Sequence, residues 1–265
     1  MPDSIDDLKG TIELRVGSCC AKIDVTAPRG DVPFRDVIPI ARQMVGAVVD
    51  WALDDMRARE KAISCGPGCG ACCRQPVPIA HAEARRLAAL VESLPEPRRS
   101  IVRERFAAAL RKLRSTDLLQ ELADLLAADD GVRPAEYFES WAKRYFEQGI
   151  PCPFLEHESC SIHPERPLIC REYLVTSPPS ACAALDIHRI DRVLIATSVH
   201  KAVRRIGKEG ESSAWIPLVS VLEWAEGAPS EEKRLPAIEW VRQFQVELGK
   251  KPAGDAGSVA ITASD

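Results

Sequence analysis

Between Ser64 and Pro78 the chain reads SCGPGCGACCRQPVP, which sets Cys65, Cys69, Cys72 and Cys73 within nine residues. Thiols this dense have three uses. They cross-link as disulfides, bind a soft or borderline metal as thiolates, or cradle the iron–sulfur cluster of a radical enzyme. The third use fits the spacing Cys65-x3-Cys69-x2-Cys72. A second group lies in PCPFLEHESCSIHPERPLICREYLVTSPPSAC (151–182), which adds Cys152, Cys160, Cys170 and Cys182. Metal binding needs such clustering because several sulfurs must converge on one centre, at about 2.3 Å for zinc. Gly66, Gly68 and Gly70 let the first loop fold back and Pro67 stiffens it. Pro151, Pro153, Pro164 and Pro167 stiffen the second. Arg74, Arg166 and Arg171 lie beside cysteines. They would offset the net negative charge of about two that four thiolates leave on a divalent ion, and would favour the ligating thiolate form.

The chain has 265 residues, 46% of them apolar, and a net charge of −4. That is ample for a core, and nothing in it predicts nucleic-acid binding by bulk electrostatics. No apolar run is long enough to cross a membrane. The start, MPDSIDDLKGTIELRV, lacks the basic region and apolar run of a secretory signal. A cytoplasmic, reducing setting is therefore expected. There, ten cysteines point to metal or redox chemistry, not to a disulfide framework.

The elements that must position these thiols are mostly helices. Residues 11–26 alternate as a hairpin turning at Gly17-Ser18. Residues 36–63 place Val37, Ile40, Met44, Val48, Ala52 and Met56 at helical spacing. Helices are predicted over 80–94 and 98–114. The latter carries seven Lys/Arg and one Glu, and the stretch 115–140 carries seven Asp/Glu and one Arg; these two are expected to pair by charge. Tyr137, Trp141 and Tyr145 form a stripe read as core. Three apolar segments after residue 190 read as mostly helical, and 251–265 as a loose tail. No βα alternation surrounds the first cysteine loop, which argues against the barrel of radical enzymes. The expectation is a mainly α protein: a helical domain around a cysteine-lined metal site, with a small N-terminal β-hairpin. Its parts are 1–34 (hairpin and linker), 35–250 (cysteine-cluster domain, core motif 60–185) and 251–265 (flexible tail).

The combination of CGPGCGACC (65–73), PCPFL (151–155), CSIHPERPLICR (160–171) and Cys182 resembles the YkgJ-type cysteine-cluster family, described as zinc- or iron-chelating. The resemblance implies eight metal ligands: Cys65, Cys69, Cys72, Cys73, Cys152, Cys160, Cys170 and Cys182. Cys65 stands one residue further from Cys69 than in the family pattern. His163 stands where the family often has Tyr, and reads as a loop residue beside Pro164. His81, His157, His188 and His200 have no paired ligand spacing. Cys19 and Cys20 fall outside the signature and read as ordinary hairpin residues. The cofactor is zinc or an iron–sulfur cluster. The scarcity of histidine ligands and the adjacent Cys72-Cys73 pair lean toward iron–sulfur. The cluster also resembles that of flagellin lysine N-methylases, which would imply S-adenosylmethionine-dependent protein methylation; a metal carrier is a third reading. The Gly-rich strand–turn–helix of common methyltransferases is missing, as are a P-loop, an H-E-x-x-H motif and a Ser-His-Asp order. Glu83, Glu172 and Asp186 are acids near the cysteine segments without a visible proton-transfer partner, so no catalytic residue is assigned.

Overall fold

Alternating side chains from Asp7 to Pro28 build the N-terminal hairpin, and apolar residues at helical spacing build most of the later elements. The computed structural model describes residues 7–16, 19–127, 135–206, 215–229, 232–249 and 260–261. In chain order the strands are β1 (Asp7–Val16), β2 (Cys19–Pro28), β3 (Asp31–Pro33), β4 (Pro78–Ala80), β5 (Leu155–Glu156), β6 (Ser159–Cys160), β7 (Trp215–Pro217), β8 (Arg234–Pro236) and β9 (Ala260–Ile261). The helices are α1 (Ile38–Ala58), α2 (His81–Glu92), α3 (Arg98–Arg114), α4 (Leu118–Ala127), α5 (Ala135–Glu147), α6 (Leu168–Glu172), α7 (Pro179–Ala183), α8 (Val199–Ile206), α9 (Val221–Gly227) and α10 (Ala237–Gly249). About 52% of the protein is helical and its sheets are short antiparallel pairings, so it is mainly α, as expected.

The chain divides into two compact units. The first comprises Met1–Lys61, Leu194–Glu209 and Pro229–Asp265. Here β1 and β2 pair from Asp7↔Pro28 to Val16↔Cys19, and the expected turn at Gly17-Ser18 lies outside the described residues. Within the expected tail, β9 pairs with β1; the rest of that tail lies outside the described residues. Helix α1 buries Ile40, Met44, Val48, Ala52 and Met56, which is the predicted stripe. It ends at Ala58, short of the predicted 63. Phe34 stacks on Trp240 and Phe244, with ring centroids 4.9 and 5.4 Å apart. The Trp240 indole donates to the Val32 carbonyl at 2.8 Å.

The second unit, Ala62–Val193 with Gly210–Ala228, contains both cysteine segments. One core joins Ile79, Ala84, Leu87 and Val91 to Val102, Phe106, Phe154, Ile162 and Ile216. A second joins Leu113, Leu118 and Leu122 to Trp141, Tyr145 and Ile150. Trp141 and Tyr145 are thus core, as expected, and the Trp141 indole donates to the Leu118 carbonyl at 2.9 Å. The Tyr137 side chain lies outside the described set.

One expectation fails among the described residues: helices α3 and α4 meet there through leucines, not through opposite charges. The arginines of α3 reach Glu92, Glu156, Glu223 and Glu226, while Glu121 of α4 pairs with Arg144 of α5. The segments after residue 190 are mostly helical, as expected, each holding one of α8, α9 and α10, with short extended stretches ahead of the first two. Residues 191–193 run beside 174–176, with Thr176 N–H on Asp191 O at 3.0 Å and Val193 N–H on Leu174 O at 2.9 Å. Trp215–Pro217 forms β7 against β4 before α9 begins. In both places backbone pairing with a distant strand overrides local helical pattern.

Candidate metal centre

The first cysteine loop is a series of tight turns. Cys69 N–H bonds Gly66 O at 3.1 Å, Cys73 N–H bonds Gly70 O at 2.9 Å, and Gln75 N–H bonds Cys72 O at 3.0 Å. Gly68 supplies the left-handed conformation between Cys65 and Cys69, with φ of +86°. Gly70 lies where a Cβ would sit 2.7 Å from both Glu158 O and Leu155 Cδ1, so the second segment packs directly onto the loop backbone.

The second segment is irregular but firmly anchored. Phe154 is buried edge-on against Phe106, with centroids 5.5 Å apart. Ile162 is buried in the same core, so Cys152 and Cys160 sit at its rim, joined through the β5–β6 pair Leu155↔Cys160. Helix α3 clamps this hairpin. Arg105 donates to Pro153 O at 3.3 Å and to Glu156 at 3.1 Å, and Arg98 donates to Ser161 O at 3.1 Å. Glu83, 5% exposed, accepts from Leu168 N–H at 2.8 Å and so holds the start of α6, which carries Cys170.

The two segments are stitched to each other. Cys152 N–H donates to Cys73 O at 2.7 Å, and Ser64 N–H donates to Val175 O at 2.9 Å. Arg74 grips Glu158 with two bonds of 2.6 and 3.0 Å. All eight candidate thiols are free, seven of them half-buried and Cys182 buried. The Cys72 thiol is held far above the usual range by its hydrogen bond to Cys73, then by burial and the charge of Cys73. Cys65, Cys152, Cys160, Cys170 and Cys182 are raised as well, first by burial and then by the repulsion that ionised neighbouring sulfurs would exert. Burial is the largest cause in each of those five, and it pushes Cys152 up to about 12. Cys69 joins through its charge on Cys65 and Cys182.

Such a pocket opposes anionic sulfur until a cation enters it. The donor set therefore fits a thiophilic metal. Among the described residues no three His, Cys, Asp or Glu side chains are already arranged to hold one ion. Arginine charge opposes repulsion among the thiols: Arg166 acts on Cys72 and Cys160, Arg171 on Cys160, and Arg192 on Cys182. Arg166 and Arg171 stood out in the sequence; Arg192 did not. Tyr173 was also missed. It hydrogen-bonds Cys182 and carries Arg192 over its ring at 4.6 Å. A water-sized cavity of about 10 Å³ lies beside Cys152, lined by Gln75, Val77, Tyr145 and Leu218.

Residues 64–192 match the CxxCxxCC family model, described as "Putative zinc- or iron-chelating domain". The YkgJ-type resemblance names the same family. No curated protein and no solved structure matched the chain. The matched stretch falls wholly within the second unit and takes in both cysteine segments. His163 lies inside that stretch in a short 3-10 turn, its pKa lowered by burial and then by Arg166 and Arg171. Cys19 and Cys20 lie outside the domain in β2, opposite Val16 and Arg15. No described helix is long and apolar enough to cross a membrane.

Proposed function

We propose that this protein chelates zinc or an iron–sulfur cluster through Cys65, Cys69, Cys72, Cys73, Cys152, Cys160, Cys170 and Cys182. The observation that carries the reading is the joining of the two cysteine segments, Cys152 N–H on Cys73 O at 2.7 Å and Ser64 N–H on Val175 O at 2.9 Å, within the stretch that matches the zinc- or iron-chelating family model. Thiolate donors without histidine suit iron–sulfur as well as zinc. When bound, the metal supplies the positive charge that lets buried thiols ionise. The chain supplies the gathered sulfurs, the arginines beside them and the hydrogen bond from Tyr173. Methyl transfer of the common doubly wound type finds no support: every strand pairing among the described residues is antiparallel.

Alkylation coupled to mass spectrometry tests the ligand set. In metal-loaded protein Cys19 and Cys20 should react while the eight remain protected, and chelation should expose all eight. Rapid alkylation of the eight in loaded protein would overturn the assignment.

A further inference from the structure

We infer that this protein forms a symmetric dimer in which the β2 strands of two copies pair antiparallel about Ile23, joining their N-terminal sheets edge to edge.

The sheet runs in the order β2–β1–β9, so among the described residues β2 is an edge with no strand on its outer side. It is ten residues long, from Cys19 to Pro28. Alternate residues of such an edge turn their N–H and C=O outward, where the sheet offers them no partner, and the edge becomes a template for another strand. Pro28 has no N–H and ends the run. The two faces of β2 differ. Ala21, Ile23 and Val25 are half-buried on the face where Leu14 and Ile12 of β1, opposite Ala21 and Ile23, are buried, and α1 packs against β2. Cys20, Lys22, Asp24 and Thr26 are exposed on the other face.

A second copy is the occupant because β2 is complementary to itself in one register. Antiparallel strands bond only where outward-turned groups meet, and opposite residues share a face. In a symmetric pair, each residue must therefore stand opposite one an even number of positions away in the sequence. Centred on Ile23, the pairing sets Lys22 of one copy opposite Asp24 of the other, and the two-fold axis repeats that contact. Ile23 meets Ile23 and Ala21 meets Val25, so the half-buried apolar residues at the edge cover one another. Every residue from Cys19 to Ala27 finds an opposite. Centred on either neighbouring residue instead, Lys22 meets Lys22 or Asp24 meets Asp24, and like charges directly opposite are destabilising. Centres further out pair less of the strand. Within one chain, Lys22 stands opposite Glu13, which Arg15 engages, and Asp24 accepts from the Thr11 hydroxyl through Oδ1 at 2.8 Å. Both charges therefore lie on the exposed face of the edge, within reach of their opposites on a second copy.

Sedimentation velocity of the full chain in reducing buffer, over a range of concentrations, tests the pairing. The unaltered protein should sediment as a dimer. Lys22→Asp and Asp24→Lys each set like charges opposite one another at both contacts, and each variant alone should dimerise about tenfold more weakly. Mixed in equal amounts, the two variants regain both attractive contacts and should dimerise with each other. Both substitutions in one chain should restore the dimer as well. Circular dichroism reports that the fold is kept; if one single variant does not fold, the other single variant and the doubly substituted chain still read the pairing. A monomer at every concentration overturns the inference. So does a dimer that neither substitution weakens, or one that neither mixing nor the double substitution restores.

Discussion

Two single residues hold the cysteine segments in register without being ligands. Glu83 is a buried carboxylate whose oxygen takes the Leu168 N–H at 2.8 Å. Replacing it with Ala strands that donor, at a cost of about 1–3 kcal/mol. Glu83→Ala should lower the denaturation midpoint and loosen the α6 turn that bears Cys170, read as faster alkylation of that thiol. Gly70 has no room for a methyl group, since a Cβ would lie 2.7 Å from a backbone oxygen. Gly70→Ala should therefore force the two segments apart, costing about 1–3 kcal/mol and lowering bound metal; a variant with unaltered metal content would contradict the packing. At this scale the sequence was legible where chemistry is carried by type and spacing: all eight cysteines and Arg166 and Arg171 stood out. Glu83 was visible as an acid but not as a cap, because its partner lies 85 positions away. Tyr173 and Arg192 were illegible because their roles arise only when residues 173–176 run beside 191–193.

Helix α3 illustrates what elements contribute. Its boundaries come from apolar periodicity, and Val102, Phe106, Leu110 and Leu113 are buried as the pattern requires. Its charge was misread. A basic helix beside an acidic stretch invites pairing, but α3 and α4 meet through leucines, and two of the arginines of α3 clamp the cysteine hairpin instead. Charge patterning along a chain reveals sign but not which distant carboxylate folding brings near. The Arg105–Glu156 pair is solvent-accessible, so it adds no more than about 1 kcal/mol to stability. Arg105→Ala should accordingly leave the melting temperature nearly unchanged while quickening the release of metal to a competing chelator. A large loss of stability with no change in release would reverse that assignment.

At the scale of the molecule, proton and metal binding are linked. Thiols raised by burial and by one another hold their protons at neutral pH, so metal must displace them. Metal affinity should fall as pH is lowered, and loading in weak buffer should release protons. A bound structural metal contributes about 10–16 kcal/mol, so chelation should sharply lower the melting temperature. Away from the thiols, His81 is packed on Trp224, and its pKa is lowered to about 4 by burial and then by Arg85. Its unfolded form takes up a proton below about 6.5 while the folded form does not. Its contribution to stability is thus complete above about 6.5 and is lost as pH falls toward about 4. His81→Phe should flatten that slope in a melting-temperature profile. The measurement that bears most directly on the central claim is metal and acid-labile sulfide content of the full chain purified without oxygen, with its visible spectrum. The account predicts bound zinc without colour, or iron with matching sulfide and a brown chromophore, in whole-number ratio to the chain. Protein that is folded and carries neither metal, and takes up neither when offered it, would contradict the account.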